Sequence, residues 1–128
     1  MDRLYSAWTE LLDWMRAYAQ EKDVRFEIEA HFPDAIYRLH RKLDLPTTIM
    51  SASLAFPENG ERFLTASVSP PSARDKGIEV RLVKAHIYMH LHVNGEGIEY
   101  EGRPLTKERL CEIAEAARRG LAPVGQNI

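Results

Sequence analysis

Apolar residues at Leu4, Trp8, Leu11, Leu12, Met15 and Tyr18 recur at spacings of four, three, one, three and three. Those spacings predict one helical stripe, with Asp2 as its N-cap and an end near Glu21–Asp23. Trp8 lies in the stripe and Trp14 at its edge. From Val24 to Phe32 the period changes to two. Val24, Phe26, Ile28, Ala30 and Phe32 alternate with Arg25, Glu27, Glu29 and His31, the pattern of a strand with one dry and one wet face. Pro33-Asp34 stops it. Ala35 to Leu43 fits a short helix, with Ile36, Leu39, His40 and Leu43 on one side, and also fits a strand; the helix is the preferred reading.

Two β-prone runs follow, Thr47–Phe56 and Arg62–Ser69. They flank Pro57-Glu58-Asn59-Gly60, and Asn-Gly between such runs predicts a hairpin. Pro70 to Gly77 is polar and predicts a loop. In the run Ile78–Val93, Ile78, Val80 and Leu82 share one parity, while Ile87, Met89, Leu91 and Val93 share the other. One long strand with a bulge near Val83–Lys84 would reconcile them, because an inserted residue flips every later side chain. Asn94-Gly95 predicts a second hairpin into Glu96–Arg103.

The last helix starts at Thr106 as N-cap, with Leu105 and Leu110 placed as a hydrophobic staple. Its buried stripe is Leu110, Ile113, Ala114 and Ala117. Arg118-Arg119 suit the negative helix end, and Gly120 is the stop. Residues 121–128 read as a loose tail. This order predicts an α+β fold: a mainly antiparallel sheet of about five strands, with the N- and C-terminal helices packed on one face.

Length and composition narrow the function classes. At 128 residues the chain reads as a single α+β domain, 1–128, and 45% hydrophobic residues argue against wholesale disorder. Seventeen basic and nineteen acidic residues give a formal charge of −2; that balance makes nucleic acid an unexpected partner. Arg38, Arg41 and Lys42 form only a small basic patch, without an aromatic stacking pattern. Cys111, the one cysteine, has no partner for an internal disulfide. Asp2, Glu10 and Asp13 break the first apolar run, so neither a signal peptide nor a membrane span is expected. The expected location is the cytoplasm.

The second predicted hairpin carries the densest polar chemistry. With Asn94-Gly95 as a two-residue turn, His92 meets Gly97, His90 meets Glu99, Tyr88 meets Glu101 and His86 meets Arg103. His86, Tyr88, His90, His92, Glu99, Glu101 and Arg103 then share one face. Three readings of that face stay open. It is a solvated surface whose side chains pair across strands, or a protein-binding surface anchored by Tyr88. In the third, His90, His92 and Glu99 ligate a zinc ion, as in a small hydrolase.

Catalytic and cofactor signatures are otherwise missing. There is no G-x-G-x-x-G, no G-K-[ST], no G-x-S-x-G and no H-E-x-x-H, so no cofactor is expected. In size, charge and layout the chain resembles small cytoplasmic α+β proteins that neutralise bacterial toxins, and also secretion chaperones. That resemblance implies a non-enzymatic immunity/antitoxin-type or chaperone-like partner of another protein, such as a toxin or secreted effector. The alternative is the zinc-dependent hydrolase. Oligomeric state is not legible.

Overall fold

The structure is a computed structural model and describes residues 2–29, 51–68, 78–94 and 97–121. The elements are α1 (Asp2–Lys22), β1 (Arg25–Glu29), β2 (Ser51–Ala55), β3 (Arg62–Val68), β4 (Ile78–Leu82), β5 (Ile87–Asn94), β6 (Gly97–Tyr100), β7 (Arg103–Pro104) and α2 (Lys107–Arg118). The predicted segment 35–43, the loop 70–77 and the tail beyond 121 lie outside the described residues.

Helix α1 buries Trp8, Leu11, Leu12, Met15 and Tyr18, together with Ala7 and Ala19, while Trp14 is half-buried at the stripe's edge. It ends where the periodicity ends. Asp23 turns into the left-handed region (φ +56°), and the Val24 N–H returns to the Ala19 carbonyl at 3.1 Å. Helix α2 starts as its sequence dictates, with the Arg109 N–H donating to Thr106 Oγ1 at 3.1 Å. Leu105 and Leu110 are both buried beside that cap. The helix closes in a Schellman turn: Gly120 N–H reaches the Ala117 carbonyl at 3.1 Å and Leu121 N–H the Ala116 carbonyl at 2.8 Å. Gly120 has φ +73°, a conformation that a Cβ would strain.

The seven strands form one sheet in sequence order, β1 to β7, and every neighbouring pair is antiparallel. Seven strands replace the expected five or so because two predicted strands each divide. Ile78–Val93 is not one bulged strand; Val83–His86 forms a turn, with His86 at φ +55°. The ladder across it pairs Leu82 with Ile87, Val80 with Met89 and Ile78 with Leu91. An even residue therefore faces an odd one, and the parity change marks a reversal of the chain. Glu96–Arg103 divides likewise at Glu101 (φ +52°) and Gly102 (φ +80°). Two central residues with positive φ match the twist of a two-residue hairpin. Pro104 then blunts the β7 edge, since it offers no N–H to a further strand.

A bulge is present elsewhere, in β3. Leu54 pairs with Leu64 but Ala55 with Arg62, leaving Phe63 as the extra residue. As a result Phe63 and Leu64, consecutive along the chain, are both fully buried in the one core cluster. A straight strand would send them to opposite faces. The hairpin before it closes as expected, with Phe56 N–H bonded to the Glu61 carbonyl at 2.9 Å and Asn59 Oδ1 accepting from the Glu61 N–H at 2.8 Å.

Both helices cover the same side of the sheet. Leu54, Leu64, Val80, Leu82, Met89, Leu91 and Ile98 belong to the same buried cluster as Trp8, Leu11, Leu110 and Ile113. Each large side chain so buried stabilises the fold by about 1.5–3 kcal/mol before the entropy cost. The helices are tied to each other by a polar contact at the edge of this core. Tyr18 Oη donates to Glu115 Oε1 at 2.8 Å, and Arg118 grips both oxygens of the same carboxylate. The Arg118 hydrogen bonds, opposed by partial burial and assisted by Tyr18, hold the Glu115 carboxyl down at about 2. Burial, then the hydrogen bond to Glu115, pushes the Tyr18 phenol well above its usual range.

Leu11→Ala, at a fully buried position, is expected to cost about 2–5 kcal/mol, and Thr106→Ala about 1 kcal/mol, in urea unfolding. Because the folded Glu115 pKa is depressed from 4.5 to about 2, its stabilisation is present above 4.5 and is lost as pH falls toward 2. Glu115→Gln is expected to lower the Tm at neutral pH, with the gap to the native chain closing across that window.

Candidate functional site

The sheet face turned away from the helices follows from the same alternation. Register places Glu27, Ser53, Thr65, Arg81 and Tyr88 in one row across β1 to β5. Ser51, Ser67, Glu79 and His90 form the adjacent row, and His92 faces Glu99 beyond it. The centre of this face is small and hydroxylic. Ser53 is only 2% exposed, and its hydroxyl is satisfied by Thr65 Oγ1 at 3.1 Å.

Longer side chains flank that centre. On the β1 side, Glu27 takes Arg25 at 3.0 Å and Arg62 at 3.3 Å. On the β5 side, the Arg81 guanidinium lies over the Tyr88 ring, 5.3 Å from its centroid. His90 Nδ1 stands 3.5 Å from Glu79 Oε2, a contact that becomes an ion pair only when the imidazole is protonated. Tyr88 is 51% exposed, unusual for so large an apolar ring.

The residues singled out from the sequence are only partly brought together. Tyr88, His90 and His92 share the outer face and are exposed, with Glu99 half-buried opposite His92. His86 sits in the β4–β5 turn and Glu101 in the β6–β7 turn. Arg103 pairs with Tyr100, which has the parity of buried Ile98, so it lies on the helix side of the sheet. The expected pairs His90–Glu99, Tyr88–Glu101 and His86–Arg103 do not form. The β5–β6 ladder closes on Asn94↔Gly97, not on Val93↔Glu96. A shift of two preserves which face each residue occupies and changes its partner.

That shift removes the geometry of the zinc reading. Glu99 stands across from His92, and the carboxylate beside His90 is Glu79, on the other neighbouring strand. Among the described residues no group of three His, Cys, Asp or Glu side chains is arranged to hold a metal ion. Glu79 and Arg81 were the residues missed. Their alternation with Ile78, Val80 and Leu82 marked them as wet, but reading 78–93 as one strand hid that they adjoin His90 and Tyr88. Arg25 and Glu27 do share the outer face, with three strands between them and β5.

The helix side offers an open cleft of about 530 Å³ between α1 and α2, whose lining includes Tyr18, Glu21, Cys111, Glu115, Arg119 and Leu121. Burial, then the nearby Glu21 charge, pushes the Cys111 thiol upward, the opposite of what activates a nucleophile. Glu115 is engaged by Tyr18 and Arg118. No helix among the described residues is long and apolar enough to cross a membrane.

Comparison with known proteins decides the family. A family model described as NADH-quinone oxidoreductase chain 15 matches residues 1–121. A curated relative from Thermus thermophilus, NADH-quinone oxidoreductase subunit 15, is 57% identical over 120 residues, which are 93% of this chain and 92% of the relative. The chain belongs to the NADH-quinone oxidoreductase chain 15 family. Membership corrects the immunity, antitoxin and chaperone reading, and with it the zinc-hydrolase alternative. The resemblance behind that reading rested on size, charge and layout, which any small α+β protein shares; chain 15 family membership rests on matched residues along nearly the whole length.

If the outer face holds no metal, excess EDTA is expected to leave the Tm unchanged, because only an ion bound to the native state would add stability that a chelator removes. A double-mutant cycle on Glu79→Ala and His90→Ala is expected to give a coupling under about 1 kcal/mol, as for exposed pairs.

Proposed function

We propose that the chain is a subunit of NADH-quinone oxidoreductase that contributes no catalytic residue and docks on neighbouring subunits through the outer face of its sheet. The observation that carries this reading is the 57% identity to a protein named as subunit 15 of that enzyme, over 92% of the relative's length. The geometry supports the non-catalytic part. The polar groups of the outer face are mostly spent on one another, as in Glu27 with Arg25 and Arg62, or Ser53 with Thr65. Such a face is suited to recognition, where a standard interface needs roughly 800 Å² per partner. Among the described residues no three of its His, Cys, Asp or Glu side chains converge as they would to hold a metal ion.

A tagged copy expressed in cells deleted for the native gene tests this directly. After mild detergent solubilisation of membranes, the tagged chain is expected to retain NADH-quinone reductase activity on the affinity resin. The purified chain alone is expected to oxidise no NADH. Recovery of the tagged chain without other subunits overturns the subunit reading, and NADH oxidation by the chain alone overturns the non-catalytic one.

A further inference from the structure

We propose that Arg81, stacked on Tyr88, is the anchor of the outer face and grips a carboxylate side chain of a neighbouring subunit. This rests on the docking reading above and adds the chemistry of the contact. The argument begins with how each cation of that face is used. Arg25 and Arg62 both close on Glu27, so both guanidiniums are engaged within the chain, although one carboxylate balances only one of the two charges. Arg81 is exposed and makes no ion pair with a described carboxylate; its contact is the Tyr88 ring at 5.3 Å. A cation held over a ring face by its charge still has the fork of guanidinium N–H donors to offer a partner. That fork matches the two oxygens of a carboxylate.

Tyr88 contributes in two ways. Its ring restrains Arg81, so less side-chain freedom is lost when a partner arrives. It also presents a large exposed apolar surface, and Tyr and Arg are the residue types that dominate binding energy when covered. The other two large exposed hydrophobics among the described residues lack this setting. Ile28 (48% exposed) has the parity of the helix side, and Leu121 (50% exposed) follows the last helix turn.

The surroundings select a single carboxylate over a polyanion. Glu79 lies on the same face two residues from Arg81, and Glu99 lies beyond β5. A nucleic acid or an anionic lipid surface would have to approach those charges as well, on a chain of net charge −2. A single Asp or Glu projecting from a protein surface can reach the guanidinium without laying a run of further negative charge against Glu79 and Glu99.

The tagged-chain purification provides the test, with NADH-quinone reductase activity on the resin measured against NaCl concentration. Arg81→Glu and Tyr88→Ala are each expected to lower retained activity at least about tenfold. Arg81→Lys keeps the charge but not the fork and is expected to fall between them and the native chain. Arg16→Ala, on α1 and paired with Asp13, is expected to retain activity. Equal Tm values for the purified variants exclude misfolding as the cause. If the native chain itself retains no activity, the docking reading fails. If it does and Arg81→Glu or Tyr88→Ala matches it, the anchor is overturned. Arg81→Lys equal to the native chain overturns the carboxylate fork, as does preferential binding of Arg81 to RNA or anionic vesicles.

Discussion

One face of a seven-stranded antiparallel meander is apolar from β1 to β6, and that face has to be covered. Two helices at the opposite ends of the chain do it together, and the rest of the architecture is subordinate to that requirement. Neither stripe suffices alone: α1 supplies Trp8, Leu11, Met15 and Tyr18, while α2 supplies Leu110, Ile113, Ala114 and Ala117. The hydrogen bond from Tyr18 to Glu115, with Arg118 behind it, joins the two at the edge of the core. It links residues 97 positions apart.

Covering one face leaves the other to polar residues, and the meander determines how they meet. Because each strand pairs with its sequence neighbours, Ser53 with Thr65, Arg81 with Tyr88 and Glu79 with His90 meet across adjacent strands, while Arg62 on β3 reaches past β2 to Glu27 on β1. Several of these groups are satisfied inside the chain, as in Glu27 with Arg25 and Arg62 and Ser53 with Thr65. Membership in the chain 15 family gives such a surface its context.

Much of the fold is legible in local residue order. The α1 stripe, the Asn59-Gly60 hairpin, the Thr106 cap and the Gly120 stop each depend on residues within a few positions of one another, and each forms as read. The misreadings share one cause. A parity change within Ile78–Val93 is produced equally by a bulge and by a hairpin, and the Val83–His86 turn lacks the Asn-Gly or Pro signal that would separate them. Phe63 carries the real bulge, yet an apolar pair such as Phe63-Leu64 does not announce which way the backbone will bend. The family, too, is illegible from motifs, since no run of residues forms a specific signature.

Along β5 the sequence by itself determined which side chains face outward, because side-chain direction along a strand has period two and survives any even shift in pairing. Tyr88, His90 and His92 therefore lie on the outer face as their alternation required. Only the tertiary structure decided what each of them touches. Partners depend on where the turn closes and on which strand lies alongside. Closure at Asn94↔Gly97 moved Glu99 from His90 to His92, and the turn at Val83–His86 brought Glu79 and Arg81 beside His90 and Tyr88. A face is a property of one strand, whereas a site is a property of several, and the distance between them is set by turns whose length the local pattern leaves open.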